Sequence, residues 1–122
     1  MTMRILIADA DREVSETIRK FLDTCGYEVE VATDGVSCIE KLRRFSPAVL
    51  VLDRGLLWGG AAGVLAWLGM RPLDTGPMVV MTDAEEVRPP EMPNRRVVGY
   101  LHKPFEMSSF LRKLAALCPM EV

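Results

Sequence analysis

The sequence predicts a doubly wound α/β fold, in which a parallel β-sheet carries helices on both faces. Short apolar runs, which are typical of strands buried on both faces, alternate with segments whose apolar residues recur at helical spacing. Two of these runs end in Asp and a third ends in Thr. Because strands that alternate with helices are joined by right-handed crossovers, we expect all the strands to run parallel.

Five segments have the apolar content of strands: residues 4–9, 27–31, 48–53, 78–82 and 97–101. Four segments carry apolar residues at helical spacing: residues 14–25, 36–45, 61–70 and 106–117. Glu28 and Glu30 alternate with apolar residues, which indicates an edge strand with one solvent-exposed face. Gly26 is predicted to end the first helix, and Pro47 follows the second. The apolar stripe of that second helix comprises Val36, Ile39, Leu42 and Phe45.

The alternation also requires a helix between the last two strands, over residues 84–96. This segment contains Pro89, Pro90 and Pro93. Proline costs about 3 kcal/mol inside a helix, so we expect an irregular fourth helix of one short turn at most.

Composition and charge limit the classes of protein to which the chain can belong. It has 122 residues, 49% of them hydrophobic, and a formal net charge of −2 without blocks of Lys or Arg. This length predicts one domain, residues 1–122, whose core needs no disulfide or metal. The charge argues against nucleic acid or an anionic membrane as a direct partner. The sequence shows no signal peptide and no apolar stretch long enough to span a bilayer.

The three cysteines, Cys25, Cys38 and Cys118, fall on apolar positions of predicted helices. An odd number of widely spaced cysteines indicates reduced, buried thiols, so we expect a cytoplasmic protein. The single histidine, His102, has no ligand partner in the sequence, and no zinc motif is present.

Polar residues at the carboxyl ends of the predicted strands are the candidate functional site. Asp9, Asp53 and Thr82 each end a strand, and the last strand runs into Lys103. In an open parallel sheet, ligands bind beyond these strand ends. Two carboxylates, a hydroxyl and an ammonium group at one edge are suited to a divalent cation and a phosphoryl group. The alternative is that such carboxylates only cap the helix that follows.

These residues carry a resemblance to a known family. The segments RILIADAD, AVLVLD, VVMT and GYLHKPF occur in the order and at the strand ends seen in receiver domains of bacterial two-component response regulators. The chain resembles that family over essentially its whole length. The resemblance implies a flavodoxin-like sheet in the order 2-1-3-4-5 and a signalling role without enzymatic turnover. It also implies a histidine kinase or phosphotransfer protein as donor and a downstream protein or fused output domain as target, with the receiver a monomer or weak dimer.

The resemblance also implies a role for each candidate residue. Asp53 accepts the phosphoryl group as nucleophile, forming an acyl phosphate. Asp9, Asp53 and the backbone carbonyl of Gly55 hold Mg²⁺, which neutralises the phosphoryl oxygens during transfer. Lys103 pairs with the phosphoryl charge, and a cis peptide bond before the next residue orients it.

Two further residues are implied to convert phosphorylation into a change of surface. Thr82 donates a hydrogen bond to a phosphoryl oxygen, and Tyr100 then moves inward behind it.

The sequence departs from the family pattern close to the site. Receivers commonly have two adjacent acidic residues after the first strand, whereas Ala10 stands in the second position. We therefore expect a weakened Mg²⁺ site, with Asp11 either an N-cap or a substitute ligand. Asp83 follows Thr82 where the family has a small residue; it either repels phosphate or pairs with Lys103.

The loop after Asp53 is a second departure, with Leu57 where the family often has Pro, and with Trp58 either partly packed or a contact for a partner. These departures keep open a degenerate receiver, a protein-interaction module that works without phosphorylation. A phosphatase-like hydrolase that uses Asp9 and Asp11 as a D-x-D pair is a further alternative, although the chain lacks the later acidic pair. A flavin-binding protein is disfavoured because the turn after the first strand lacks phosphate-cradling Gly and Ser residues.

Overall fold

The computed structural model describes residues 2–56, 60–84 and 95–117. Its strands are β1 (Arg4–Ala8), β2 (Glu28–Ala32), β3 (Val49–Asp53), β4 (Met78–Asp83) and β5 (Val97–His102). The helices of these ranges are α1 (Arg12–Thr24), α2 (Gly35–Phe45), α3 (Gly60–Gly69) and α4 (Met107–Leu117). The strands form one parallel sheet in the order β2-β1-β3-β4-β5, which confirms the predicted fold class.

Alternate residues of the central strands supply two apolar clusters, one on each face of the sheet. Ile5 and Val49 pack with α1 and α4, whereas Leu6 and Leu50 pack with α2 and α3. All five residues of β3 are buried, because helices cover both of its faces. The continuous apolar run at residues 48–53 is therefore what a central strand of this sheet requires.

The helix ends explain how the chain turns between strands. Asp34 caps α2 by accepting a hydrogen bond from the Ser37 backbone N–H at 2.7 Å. After α1, Gly26 adopts a φ of +94°, which favours glycine because it has no Cβ. Gly26 therefore ends the first helix as predicted.

Two predictions of burial were wrong. Val36 is 67% exposed, because the buried face of α2 is formed by Cys38, Leu42 and Phe45. Cys25 is exposed because it is the C-cap of α1, one position beyond the last helical residue. Cys38 is fully buried, as predicted.

The segment before β5 is anchored by a buried arginine. Arg96 donates hydrogen bonds from its guanidinium group to the carbonyls of Thr75 at 2.6 Å and Pro72 at 2.7 Å. These bonds tie the start of β5 to the loop before β4. The irregular fourth helix predicted for residues 84–96 falls largely on residues 85–94, outside the described residues, as does Cys118. Across the described ranges, none of the helices has the length and apolar content needed to cross a membrane.

Candidate functional site

Three charged side chains meet at the carboxyl edge of the sheet. Asp9 follows β1, Asp53 ends β3, and Lys103 follows β5. The Lys103 ammonium forms an ion pair with Asp9 and lies 3.5 Å from Oδ2 of Asp53. Asp9 is 3% exposed and Asp53 is 8% exposed, so two carboxylates are buried around one cation. Burial of such a group is tolerated when its charge is paired.

The ionisation of Asp53 is affected by these neighbours. Burial raises the pKa of the Asp53 carboxyl above its ordinary value, and the negative charge of Asp9 raises it further. The Lys103 ammonium and a hydrogen bond from the Gly55 backbone N–H act in the opposite direction on this pKa. A buried carboxylate that is short of positive charge is one that a cation would stabilise.

The loop after β1 holds Asp9 in place. The Asp11 backbone N–H donates to Oδ1 of Asp9 at 2.9 Å, while Oδ2 pairs with Lys103. The Asp11 side chain accepts a hydrogen bond from the Val14 N–H at 3.2 Å and caps α1. Of the two roles considered for Asp11, the structure shows the N-cap.

Ala10 is exposed and contributes no side-chain oxygen to the site. Residues 2–56, 60–84 and 95–117 contain no group of three or more His, Cys, Asp or Glu side chains arranged to hold a metal. Within these ranges, the side-chain carboxylates that could bind a metal ion at the site are therefore those of Asp9 and Asp53. Gly55 lies against the second of these, since a Cβ at Gly55 would be 3.5 Å from Oδ2 of Asp53.

Thr82 lies beside Asp53, because the two residues are Cα partners in the pairing of β3 with β4. It is 2% exposed. The next residue, Asp83, forms an ion pair with Arg54, whose Nη1 lies 3.3 Å from Oδ2 of Asp83. The suggested pairing of Asp83 with Lys103 was wrong, because the Lys103 side chain is directed to Asp9 and Asp53 instead.

Arg54 is a charged residue of this edge that the sequence analysis missed. A signal for it exists in the strand register. Since Asp53 and Thr82 are partners, the residues that follow them, Arg54 and Asp83, also come side by side. Opposite charges at these two positions are visible in the sequence once the register is known.

Tyr100 lies on β5, where its Cα partner on β4 is Met81, and the partner of Thr82 is Leu101. The half-buried Tyr100 packs against the apolar cluster shared with α2 and α3. The Lys113 ammonium donates to the Tyr100 carbonyl at 3.2 Å. Tyr100 therefore lies on the strand next to Thr82, opposite the residue that precedes it. The movement of Tyr100 towards Thr82 stays a prediction.

The remaining sequence expectations at this edge concern two loops. The peptide bond between Lys103 and Pro104 is cis, as the resemblance implies. Leu57 and Trp58 lie outside the described residues, so the expectations for them are untested.

Comparison with known proteins gives one consistent result. A family model described as "Response regulator receiver domain" matches residues 5–115. The response regulator MprA of Mycobacterium leprae is 36% identical over 123 residues, covering 94% of this chain and 50% of the relative. The response regulator MprA of Mycobacterium ulcerans is 34% identical, with coverages of 96% and 50%. The chain thus spans about half the length of the curated relatives it matches.

Solved structures match the fold. The response regulator TrrA of Thermotoga maritima, solved in complex with Mg²⁺-BeF, has a TM-score of 0.82 at 19% identity, covering 95% of this chain and 99% of that one. A CheY-like receiver domain protein of Methanospirillum hungatei has a TM-score of 0.80 at 22% identity, with coverages of 96% and 94%.

Proposed function

Because the chain belongs to the response regulator receiver family of two-component signalling, we propose that it accepts a phosphoryl group on Asp53 with Mg²⁺ bound. The donor is a histidine kinase or phosphotransfer protein, and the receiver of the signal is a downstream protein or a fused output domain. The single observation that carries this proposal is the Lys103 ammonium shared between the buried carboxylates of Asp9 and Asp53. Such a cation stabilises negative charge where a phosphoryl group would add more of it.

The chemistry is a transfer of one phosphoryl group between two nucleophiles. A carboxylate oxygen of Asp53 forms a bond to phosphorus as the bond between phosphorus and the donor's imidazole nitrogen breaks, and that nitrogen keeps the electron pair. The Lys103 ammonium remains protonated and pairs with the phosphoryl oxygens. Asp53 attacks as an ionised carboxylate. Because burial and Asp9 raise its pKa while Lys103 and the Gly55 N–H lower it, the ionised fraction of Asp53 depends on the charges around it.

The oxygen ligands available at the site suit Mg²⁺. This ion is usually bound by one or two carboxylates, several waters and the phosphate oxygens of a substrate. Asp9 and Asp53 supply the carboxylates, and the Gly55 carbonyl is the proposed third ligand. When bound, the ion neutralises charge on the transferring phosphoryl group. Affinity should be weak, because Ala10 adds no oxygen and Lys103 competes for both carboxylates.

The proposed switch uses Thr82 and Tyr100. Thr82 is buried beside Asp53, within the strand register that would bring its hydroxyl to a phosphoryl oxygen. Tyr100 is half-buried on the neighbouring strand, so a modest rotation changes what β5 presents at the surface. Residues 1–122 are proposed to act as one receiver unit in the cytoplasm, as a monomer or weak dimer. Its role would be signalling, without turnover of a small substrate and without direct binding to nucleic acid or membrane.

Intact-mass spectrometry tests the proposal. The protein is incubated with acetyl phosphate and Mg²⁺, and we expect one phosphoryl adduct that is absent in Asp53→Asn and in samples with EDTA. Asp23→Asn is the matched control, because Asp23 is an exposed α1 residue paired with Arg19. Absence of the adduct from the unaltered protein, or its survival in Asp53→Asn, contradicts the proposal.

A degenerate receiver is the second candidate, favoured by two observations. The Lys103 ammonium already neutralises part of the carboxylate charge, and Ala10 leaves the site short of a metal ligand. Such a protein would bind its partner equally well before and after the substitution Asp53→Asn. The same mass measurement separates the candidates, since a degenerate receiver forms no adduct.

A further inference from the structure

An ion pair joins the residues that immediately follow Asp53 and Thr82 at the proposed phosphorylation site. Arg54 comes directly after Asp53, and Asp83 comes directly after Thr82. Nη1 of Arg54 lies 3.3 Å from Oδ2 of Asp83. The Arg54 backbone N–H donates to the Thr82 carbonyl at 2.8 Å, so both partners are attached to the ladder of β3 and β4. The pair is therefore held in place by the sheet.

In the part of the chain that the structure describes, two cations pair with carboxylates at this edge. Lys103 forms ion pairs with Asp9 and Asp53, whereas Arg54 pairs with Asp83. The Lys103 backbone N–H also donates to the Asp83 carbonyl at 2.7 Å, so the two residues are neighbours where β4 and β5 end. Arg54 therefore places a positive charge beside the acidic residue whose backbone carbonyl accepts the Lys103 N–H.

The partners also differ in their exposure. The side chain of Asp83 is 16% exposed, whereas that of Arg54 is 38% exposed. The carboxylate is thus the more buried partner of the pair. An anionic phosphodonor approaching Asp53 meets the Asp83 carboxylate with a guanidinium group beside it, which lowers the repulsion that this carboxylate exerts.

We infer that Arg54 is a positioning residue that keeps the charge of Asp83 from opposing phosphoryl transfer to Asp53, and so sets the rate of that transfer. This inference rests on the proposed function. It explains how the site accommodates an acidic residue directly after Thr82. The neutralised carboxylate leaves Lys103 to Asp9, Asp53 and the incoming phosphoryl group.

A double-mutant cycle at residues 54 and 83 tests the inference. The variants are Arg54→Met, Asp83→Asn and the two combined, and the measured quantity is the rate of adduct formation at Asp53 from acetyl phosphate in Mg²⁺. Loss of Arg54 alone should slow the reaction about fivefold, the order expected for one partly screened charge. In the Asp83→Asn background the same loss should change the rate by less than about twofold.

Two controls separate this role from a structural one. Phosphoramidate carries less negative charge than acetyl phosphate, so Arg54→Met should slow its reaction about twofold or less. A variant that merely distorted the site would slow both donors equally. Arg19→Met changes the net charge by the same amount, but Arg19 pairs with Glu16 and Asp23 on α1, so its rate should equal that of the unaltered protein.

Each outcome is decisive. If Arg54→Met caused the same loss of rate with and without the Asp83→Asn substitution, Arg54 would act directly on the donor, which overturns the inference alone. Equal slowing of the two donors likewise overturns it. If the unaltered protein forms no adduct, the proposed function fails and takes the inference with it.

Discussion

The Lys103 ammonium lies 3.5 Å from Oδ2 of Asp53 and pairs at the same time with Asp9. Asp9 and Lys103 are separated by 94 residues, so the pairing joins the ends of β1, β3 and β5. This one ammonium group thereby pairs with two buried carboxylates and neutralises part of their charge. It occupies the electrostatic role that a divalent metal would otherwise take in part, and Lys103 and Mg²⁺ should compete.

Removing the cation tests this competition. Lys103→Met leaves Asp9 and Asp53 buried without their cationic partner, so the free energy of unfolding in EDTA should fall by about 3 kcal/mol. The same substitution should strengthen Mg²⁺ binding about tenfold, because the metal no longer displaces an ammonium group. Urea unfolding with and without Mg²⁺ measures both effects.

The control for this prediction is Lys20→Met, which removes an exposed lysine of α1. It should alter neither quantity appreciably. If Lys103→Met weakened Mg²⁺ binding, the ammonium would have to support the metal site, contrary to the competition described above.

The missing oxygen at position 10 gives a second prediction. Both carboxylate oxygens of Asp9 already have partners, one being the Asp11 N–H and the other Lys103. Ala10→Asp should therefore raise Mg²⁺ affinity about tenfold by adding a negatively charged carboxylate oxygen, the kind of ligand this ion prefers. Isothermal titration calorimetry measures the change. Ala10→Asn introduces a side chain of similar size without charge, and a gain in affinity as large as that of Ala10→Asp would contradict an effect of charge.

Asp11 is predicted to matter for stability and to be irrelevant for metal binding. Its side chain caps α1, so Asp11→Ala should lower the free energy of unfolding by about 1 kcal/mol. Asp11→Asn keeps an oxygen acceptor and should cost only a few tenths of that. Both variants should bind Mg²⁺ as the unaltered protein does; a large loss of affinity in both would assign Asp11 to the metal site.

The cysteines should react at very different rates. Burial raises the pKa of the Cys38 thiol to about 12, and its side chain is inaccessible, whereas Cys25 is exposed. A maleimide at about pH 7.5 should modify Cys25 in the folded protein and Cys38 only after unfolding. Peptide mapping assigns the modified positions, and Cys25→Ser removes the fast reaction at that site. Rapid modification of Cys38 in folded protein would show that α2 opens readily.

Because folding raises the pKa of the Cys38 thiol, the free energy of unfolding depends on pH in the alkaline range. The Cys38 thiol has an ordinary pKa of 9.0 in the unfolded chain and a pKa of about 12 in the folded one. Well below pH 9.0 both states keep the proton, so Cys38 makes no pH-dependent contribution. As the pH rises from 9.0 to about 12, the unfolded state loses its proton first and the free energy of unfolding falls. Cys38→Ala should remove this part of the alkaline destabilisation, which urea unfolding across this pH range measures.

Much of the fold could be predicted because it depends on local patterns. A central strand such as β3 needs a continuous apolar run, and Gly26 ends α1 at a positive φ that glycine tolerates. The error at Cys25 concerns where the helix ends, since α1 stops one residue before it, and the error at Val36 concerns orientation. A helix rotates by about 100° per residue, so apolar content alone does not decide which of several neighbouring side chains faces the sheet.

The candidate site was likewise predictable in part from the sequence. Asp9, Asp53, Thr82 and Lys103 were recognisable because each stands at the carboxyl end of a strand, and parallel strands bring those ends to one edge. Which charge pairs with which was decided by the order and register of the strands. Lys103 pairs with Asp9 and Asp53, whereas Arg54 pairs with Asp83. These pairings follow from the position of β3 between β1 and β4, with Asp53 opposite Thr82. Charge pairing depends on distances of a few ångströms between residues far apart in the chain, and those distances exist only once the sheet has formed.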